Sequence, residues 1–192
     1  MTATPPPPLL AIFVGGASSR MGGKPKGLLR APDGLAIVER WRSLATTVGL
    51  PPVLVGEAAA YAHLGIETIA DGRPDAGPLG GLVGLLRSRA EAQIVAVACD
   101  MPYVTAALLK RLALTEASAA VLAPWRDDDE RYEPLFARYD RVRVFPLAER
   151  QLAGGDRSLQ KLLRDAGTQP FALSDEEWPL IADWDQPADR IR

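Results

Sequence analysis

Leu9-Leu-Ala-Ile-Phe-Val14 runs without a polar residue into Gly15-Gly-Ala-Ser-Ser-Arg-Met-Gly-Gly-Lys-Pro-Lys-Gly27, and this junction decides the fold. A short unbroken apolar run bounded by turn residues has the pattern of a strand buried on both faces, the habit of parallel strands. A glycine-rich loop directly after such a strand lets backbone N–H groups come close to phosphate oxygens, because no side chain stands in the way. Arg20, Lys24 and Lys26 add positive charge to that loop. It fits neither common nucleotide-binding pattern: Lys24 is followed by Pro25 and Lys26 by Gly27, so no G-x-x-x-x-G-K-[ST] can be drawn, and there is no G-x-G-x-x-G. By composition alone, the same loop reads equally well as a flexible surface turn.

Working outward, Ile37, Val38, Trp41, Leu44, Ala45 and Val48 recur at helical spacing. Val53–Val55 and Ile66–Ala70 read as strands, Leu79–Leu86 as a helix opened by Pro78, and Ile94–Cys99 as another buried strand. Thr105 offers an N-cap for a helix carrying Leu108, Leu109 and Leu112. A strand over Ala119–Ala123 and a charged turn over Arg126–Arg131 lead into Glu133-Pro-Leu-Phe-Ala-Arg-Tyr139, which opens as a short strand. Helices follow around Val142–Leu152 and Ser158–Leu163, and Ile181–Arg192 closes the chain. Strands alternating with helices predict an α/β fold with a mainly parallel sheet and helices on both faces. With no internal repeat and no linker, residues 1–192 read as a single domain with a proline-rich lead-in at 1–8.

Composition narrows the function classes. A chain of 192 residues with 47% hydrophobic and 24% charged side chains is ordinary for a globular protein, which sets disorder aside. The net charge is −2 with Lys and Arg scattered, whereas a surface for nucleic acid or anionic membrane clusters its basic charge. Cys99 stands alone, so an intrachain disulfide is excluded and no Cys/His pairing offers a zinc site. No apolar run reaches the roughly 18 residues expected of a membrane span, and Met1–Pro8 lacks the basic region of a signal peptide, so the expectation is a cytoplasmic protein.

In open α/β sheets, ligands bind outside the carboxyl ends of the strands, so functional residues should cluster just after strands. They do so at Gly15–Lys26, Asp71–Gly81 and Asp100–Pro102. Asp100 is expected to project its carboxylate at the sheet edge, where Mg²⁺, a hard cation that takes carboxylate and phosphate oxygens, could be held. A turn residue before Pro102 is its plainer reading. Asp71-Gly72 is likewise both a site candidate and a strong turn signal. Gly80 and Gly81 suit either close approach of backbone to a nucleotide or tight packing of their helix. Asp127–Glu130 reads as a solvated turn, His63 as structural and Cys99 as buried and inert. Without a Ser-His or Cys-His pairing, no nucleophile system is visible.

The ordered combination Gly-Gly-x-Ser-x-Arg-Met-Gly-Gly-x-x-Lys-Gly-Leu-Leu over residues 15–29 resembles the molybdenum cofactor guanylyltransferase (MobA-type) family, within the nucleotidyltransferases that activate sugars and cofactors. The resemblance continues through Gly77-Pro-Leu-Gly-Gly-Leu82, Cys99-Asp-Met-Pro-Tyr103, Pro134-Leu-Phe-Ala137 and Asp183-Trp-Asp-Gln-Pro187. It implies a Rossmann-like nucleotidyltransferase fold and transfer of GMP from GTP to the phosphate of molybdenum-loaded molybdopterin, with pyrophosphate leaving. It further implies Lys26, Arg20 and Asp100 as catalytic residues, and Mg²⁺ on Asp100 with Asp185 as a second candidate ligand. Nucleotide contacts carried over with it are Phe13, Val14, Gly15, Gly16, Ser18, Lys26, Gly56, Asp71, Pro78, Gly80 and Asp100. Glu133-Pro-Leu-Phe136 would border the acceptor, and transient contact with cofactor-insertion or target-enzyme proteins is expected.

The chain departs from the family pattern in three places: Pro25 replaces an acidic residue, Phe13-Val14 replaces Leu-Ala, and Asp183 and Asp185 replace asparagines. Paired acids in the closing segment are more reminiscent of cytidylyltransferases, so a molybdopterin cytidylyltransferase or a sugar-phosphate nucleotidyltransferase remains an alternative. Outside the enzymes, a regulatory module could keep the loop without performing transfer. Retention of both Lys26 and Asp100 favours an enzyme, since a sensor could dispense with the metal.

Overall fold

The computed structural model describes residues 6–14, 25–73 and 75–184. Gly15, Gly16, Ser18, Arg20, Lys24 and Asp185 lie outside the described residues. The apolar run forms β1 (Leu9–Phe13), with all of its residues buried. Helix α1 (Ile37–Val48) follows, ended by Gly49 in the left-handed conformation at φ 78°, which costs a residue without Cβ nothing. Strands β2 (Pro52–Val55) and β3 (Thr68–Ile69) precede α2 (Gly77–Ser88), and Pro78 sits in the first turn of α2, where its missing N–H is no loss. Next come β4 (Gln93–Ala98) and α3 (Ala106–Leu114), whose first turn is capped by the Thr105 hydroxyl accepting the Leu108 N–H at 3.2 Å.

Strand β5 (Val121–Ala123) leads to a small hairpin of β6 (Trp125–Arg126) and β7 (Arg131–Tyr132), closed by the acidic turn and by Trp125 packing edge-on against Tyr132. The chain returns as β8 (Phe136–Asp140), runs through α4 (Arg141–Ala153) and α5 (Leu159–Asp165), and adds β9 (Gln169–Pro170). Asp140 and Ser158 cap these two helices through their side chains.

Among the described residues the main sheet has seven strands in the order β3-β2-β1-β4-β8-β5-β9. Pairing is parallel except at β8, which runs antiparallel to both of its neighbours. Side chains alternate across a strand, and β1 divides accordingly. Leu10 and Ile12 meet the apolar faces of α1 and α3, while Leu9, Ala11 and Phe13 meet α2, α4 and α5. The expected mainly parallel sheet with helices on both faces is therefore the architecture found. Among the described residues, no helix is long and apolar enough to cross a membrane.

Two expected strands come out shorter. Ile66–Ala70 contracts to the two residues of β3 and Ala119–Ala123 to β5. Pairing with β2 covers only Thr68 and Ile69, and pairing with β8 and β9 only Val121–Ala123.

Helix α2 lies unusually close to the segment after β3. A Cβ on Gly84 would stand 2.4 Å from the Ala70 carbonyl oxygen and 2.6 Å from the Gly72 nitrogen, both backbone atoms that cannot rotate away. Overpacking of this kind costs about 1–3 kcal/mol, while alanine regains about 1 kcal/mol of helix propensity over glycine. Gly84→Ala is therefore expected to lose up to about 2 kcal/mol net, read as a lower urea midpoint at unchanged slope. A midpoint equal to or above the parent's would show that α2 has room to move outward.

Candidate active site

The chain leaves β1 towards β2 on one side and later returns as β4 on the other. Such a switch point opens a crevice at the carboxyl ends of the two central strands. Backbone bonds fix its floor: the Cys99 N–H donates to the Phe13 carbonyl at 3.0 Å, and the Val14 N–H to Val55 at 3.0 Å. The crevice is a cavity of about 270 Å³. Strand ends supply Phe13, Val14, Val55, Ala98, Cys99 and Asp100, and the first turn of α2 supplies Gly77, Pro78 and Gly81. Lys26, Asp71 and Leu135 complete the lining among the described residues.

Asp100 is 8% exposed, and among the described residues it is the one charged side chain that is buried. Its Oδ2 accepts from Lys26 Nζ at 2.7 Å. Its carbonyl accepts the Trp184 N–H at 3.0 Å, and the Trp184 indole N–H reaches the Tyr103 hydroxyl at 3.2 Å. The closing segment is thus fastened to the Asp100 turn, with Trp184 and Tyr103 edge to face. Lys26 itself starts a single 3₁₀ turn over Lys26–Leu28.

Asp71 stands at the crevice rim with its Oδ1 close to Gly81, where an added Cβ would lie 3.2 Å away. The residue is exposed, but protein on one side partly desolvates its carboxyl and raises the pKa above the usual carboxylate value. Burial first, and then the Asp100 carboxylate, push the Cys99 thiol up to about 12, so it stays protonated near neutrality and supplies no thiolate.

Of the described residues expected to touch the nucleotide, Phe13, Val14, Lys26, Asp71, Pro78 and Asp100 share this one cavity. Gly56 and Gly80 do not line it. Gly56 turns the chain after β2 at φ +103° and donates to the Ile69 carbonyl. Gly80 accepts the Gly72 N–H and has the Arg73 carbonyl oxygen 2.8 Å from where a Cβ would stand, so close packing accounts for it. Gly81 is the glycine that faces the crevice: its missing Cβ would press on Val55, Phe13 and Asp71 at 3.0–3.2 Å. His63, expected to be structural, is exposed on the 3₁₀ turn Ala59–Leu64 and does not line the crevice.

The acidic turn at 127–130 is exposed as expected. No group of three or more His, Cys, Asp or Glu among the described residues could enclose a metal. Of the Glu133-Pro-Leu-Phe136 stretch that the resemblance sets beside the acceptor, Leu135 is the residue that lines the crevice. Only the antiparallel return of β8, with the Ala98 N–H on the Leu135 carbonyl at 2.8 Å, brings it there.

Known proteins resemble this chain in sequence and in fold. The MobA-like NTP transferase domain matches residues 10–171. A molybdenum cofactor guanylyltransferase from Pseudomonas putida (strain GB-1) is 33% identical over 91% of this chain and 92% of its own. A probable molybdenum cofactor guanylyltransferase from Opitutus terrae is 32% identical over 95% and 92%. Among solved structures, molybdopterin-guanine dinucleotide biosynthesis protein A from Archaeoglobus fulgidus superposes with a TM-score of 0.76 at 24% identity, covering 94% of this chain and 93% of that one. The 2-C-methyl-D-erythritol 4-phosphate cytidylyltransferase of Thermus thermophilus gives 0.67 at 12% identity over 94% of each chain, a likeness of fold.

The raised pKa of Asp71 has a consequence for stability. The native state binds this proton more tightly than the unfolded chain, so the contribution is present below the unfolded carboxylate pKa and is lost as pH rises through the folded value. Asp71→Asn removes that loss. Because Asp71 is exposed and solvent screens the effect, the variant should melt only slightly above the parent at neutral pH, with the gap closing as pH falls through the carboxylate range. A gap that widens on acidification would contradict the raised pKa of this carboxylate.

Proposed function

The chain belongs to the MobA-like NTP transferase family, and from that premise we infer that it is a molybdenum cofactor guanylyltransferase, moving GMP from GTP onto the phosphate of molybdenum-loaded molybdopterin. The observation that supports the catalytic half of this reading is the Lys26–Asp100 pair on the wall of the crevice. Residues 1–192 act as one transferase domain, and a cytoplasmic setting and transient contact with cofactor-insertion or target-enzyme proteins belong to the same proposal.

The chemistry asks for positioning and charge neutralisation. The acceptor phosphate is anionic at neutral pH, so it attacks the α-phosphorus of GTP without a base to deprotonate it. One P–O bond forms there and the bond to the β-phosphate breaks, releasing pyrophosphate. Lys26 stabilises charge developing near the α-phosphate, while Arg20 and the N–H groups around Gly15, Gly16 and Ser18 hold the β- and γ-phosphates. Phe13, Val14, Asp71, Pro78 and Gly81 shape the wall for the nucleoside end. The first turn of α2 presents the positive end of a helix dipole to the same crevice.

Transferases of this family typically use a divalent metal, and the donor set here suits Mg²⁺. That ion is commonly held by one or two carboxylates together with substrate phosphates, and Asp100 already keeps a cation, the Lys26 ammonium, at 2.7 Å. Asp100, with Asp185 as the second candidate, would hold Mg²⁺, which would offset triphosphate charge.

The reading is tested by incubating the protein with Mg²⁺, molybdenum-loaded molybdopterin and each nucleoside triphosphate in turn. GTP should yield the dinucleotide, with pyrophosphate released only when the acceptor is present. Faster turnover with CTP would move the protein to the cytidylyltransferases, with Asp183 and Asp185 the first residues to examine. In the same assay Lys26→Ala should lower turnover by about a hundredfold or more, whereas Lys24→Ala should matter less. The reverse order would place the catalytic lysine two residues earlier.

A further inference from the structure

Tyr61 belongs to none of the sequence motifs, yet it lies directly under the turn that carries Lys26. It is 1% exposed, on the 3₁₀ turn Ala59–Leu64, with its ring packed into the core shared with α1 and α3. Above it, Lys26–Leu28 is one short turn whose N-cap, Pro25, offers no side-chain cap. The first N–H groups of such a turn have no partner within it. Gly27 is buried, so its N–H cannot be left to water, and the Tyr61 hydroxyl accepts it at 3.2 Å. The contact is also steric. A Cβ on Gly27 would stand 3.0 Å from Tyr61 Cε1 and 3.0 Å from its hydroxyl oxygen, so the turn rests on the ring at the closest approach that glycine permits.

We propose that Tyr61 is a positioning residue for Lys26: its ring and hydroxyl hold the Lys26–Gly27 backbone at a fixed height, from which the ammonium spans to Asp100 across the crevice. The proposal rests on the reading of Lys26 as the group that meets the α-phosphate. The side chain of Lys26 reaches a partner 74 residues away in sequence. Without a rigid floor that reach depends on a short turn flanked by a single proline. Misplacing a catalytic group by about 1 Å can cost two orders of magnitude in rate, so a rigid floor is worth having. The hydroxyl suits this task across the working pH range. Burial chiefly, with Cys99 and Asp100 adding to it, pushes the phenol up to about 12, although the Gly27 N–H pulls it the other way. It therefore remains a neutral acceptor.

The test uses Tyr61→Phe in the full chain, which keeps the ring and removes the acceptor. In the dinucleotide assay kcat should fall by about tenfold with KM for GTP within about twofold, because nucleotide binding is spread over the whole crevice while Lys26 acts in transfer. The same substitution made on Lys26→Ala should cost less than about twofold, since a residue acting through Lys26 has nothing left to act through. Gly27→Ala presses on the contact from the other side, should reproduce the kcat loss, and carries the test if Tyr61→Phe melts too low to assay. An unchanged kcat, or an equal loss with and without Lys26, overturns the proposal. An inert Tyr61→Phe beside an inactive Lys26→Ala overturns this inference alone, whereas a fully active Lys26→Ala overturns both it and the catalytic reading.

Discussion

The Lys26–Asp100 ion pair is the constraint around which the rest of the structure is arranged. A carboxylate 8% exposed is costly to desolvate, and one cation at 2.7 Å does not make such a pair a strong source of stability. The surrounding fold is therefore better understood as holding the pair than as being held by it. Parallel pairing sets β1 beside β4 with Phe13 opposite Ala98, and the Cys99 N–H on the Phe13 carbonyl joins the two strand ends. Trp184 fastens the closing segment to the carbonyl of Asp100 itself. The backbone around the carboxylate is thus tied down, and the side chain of Asp100 is left to meet cations.

The opposite wall follows the same logic with different means. Helix α2 must bring its first turn to the crevice, and glycine lets it do so: Gly81 sits against Phe13, Val55 and Asp71, and Gly84 against Ala70 and Gly72. Each approach would be closed by a single methyl group. Asp71 then keeps an exposed carboxylate at the rim, where partial desolvation raises its pKa.

Much of the fold was legible because periodicity and caps are local. The unbroken apolar run of β1, the 3.6-residue spacing of α1, and Thr105 ahead of α3 each carry their own physical signal. The direction of β8 was not legible, since a short apolar strand looks alike whichever way its neighbours run, so the resemblance set Glu133–Phe136 beside the acceptor without showing that Leu135 is its residue on the crevice wall. Within the Gly77–Leu82 motif, neither Gly80 nor Gly81 announces which way it faces. Helical phase assigns Gly81 to the crevice and Gly80 to the loop behind it. Tyr61 was invisible for a similar reason, because its partner Gly27 lies 34 residues away and only folding brings the hydroxyl under the turn. Asp100 and Lys26 were legible as candidates through their places after β4 and in the loop, but their contact is a product of topology.

The central claim is that Asp100 is the cation seat of the crevice, shared between Lys26 and the metal that accompanies the nucleotide. Calorimetric titration of GTP into the parent protein and into Asp100→Asn, each with and without Mg²⁺, tests it most directly. The parent should bind GTP more tightly with Mg²⁺ than without, and Asp100→Asn should lose most of that gain while keeping its melting temperature near the parent's. An equal gain from Mg²⁺ in both proteins would contradict the claim and leave Asp100 as a residue of the turn after β4.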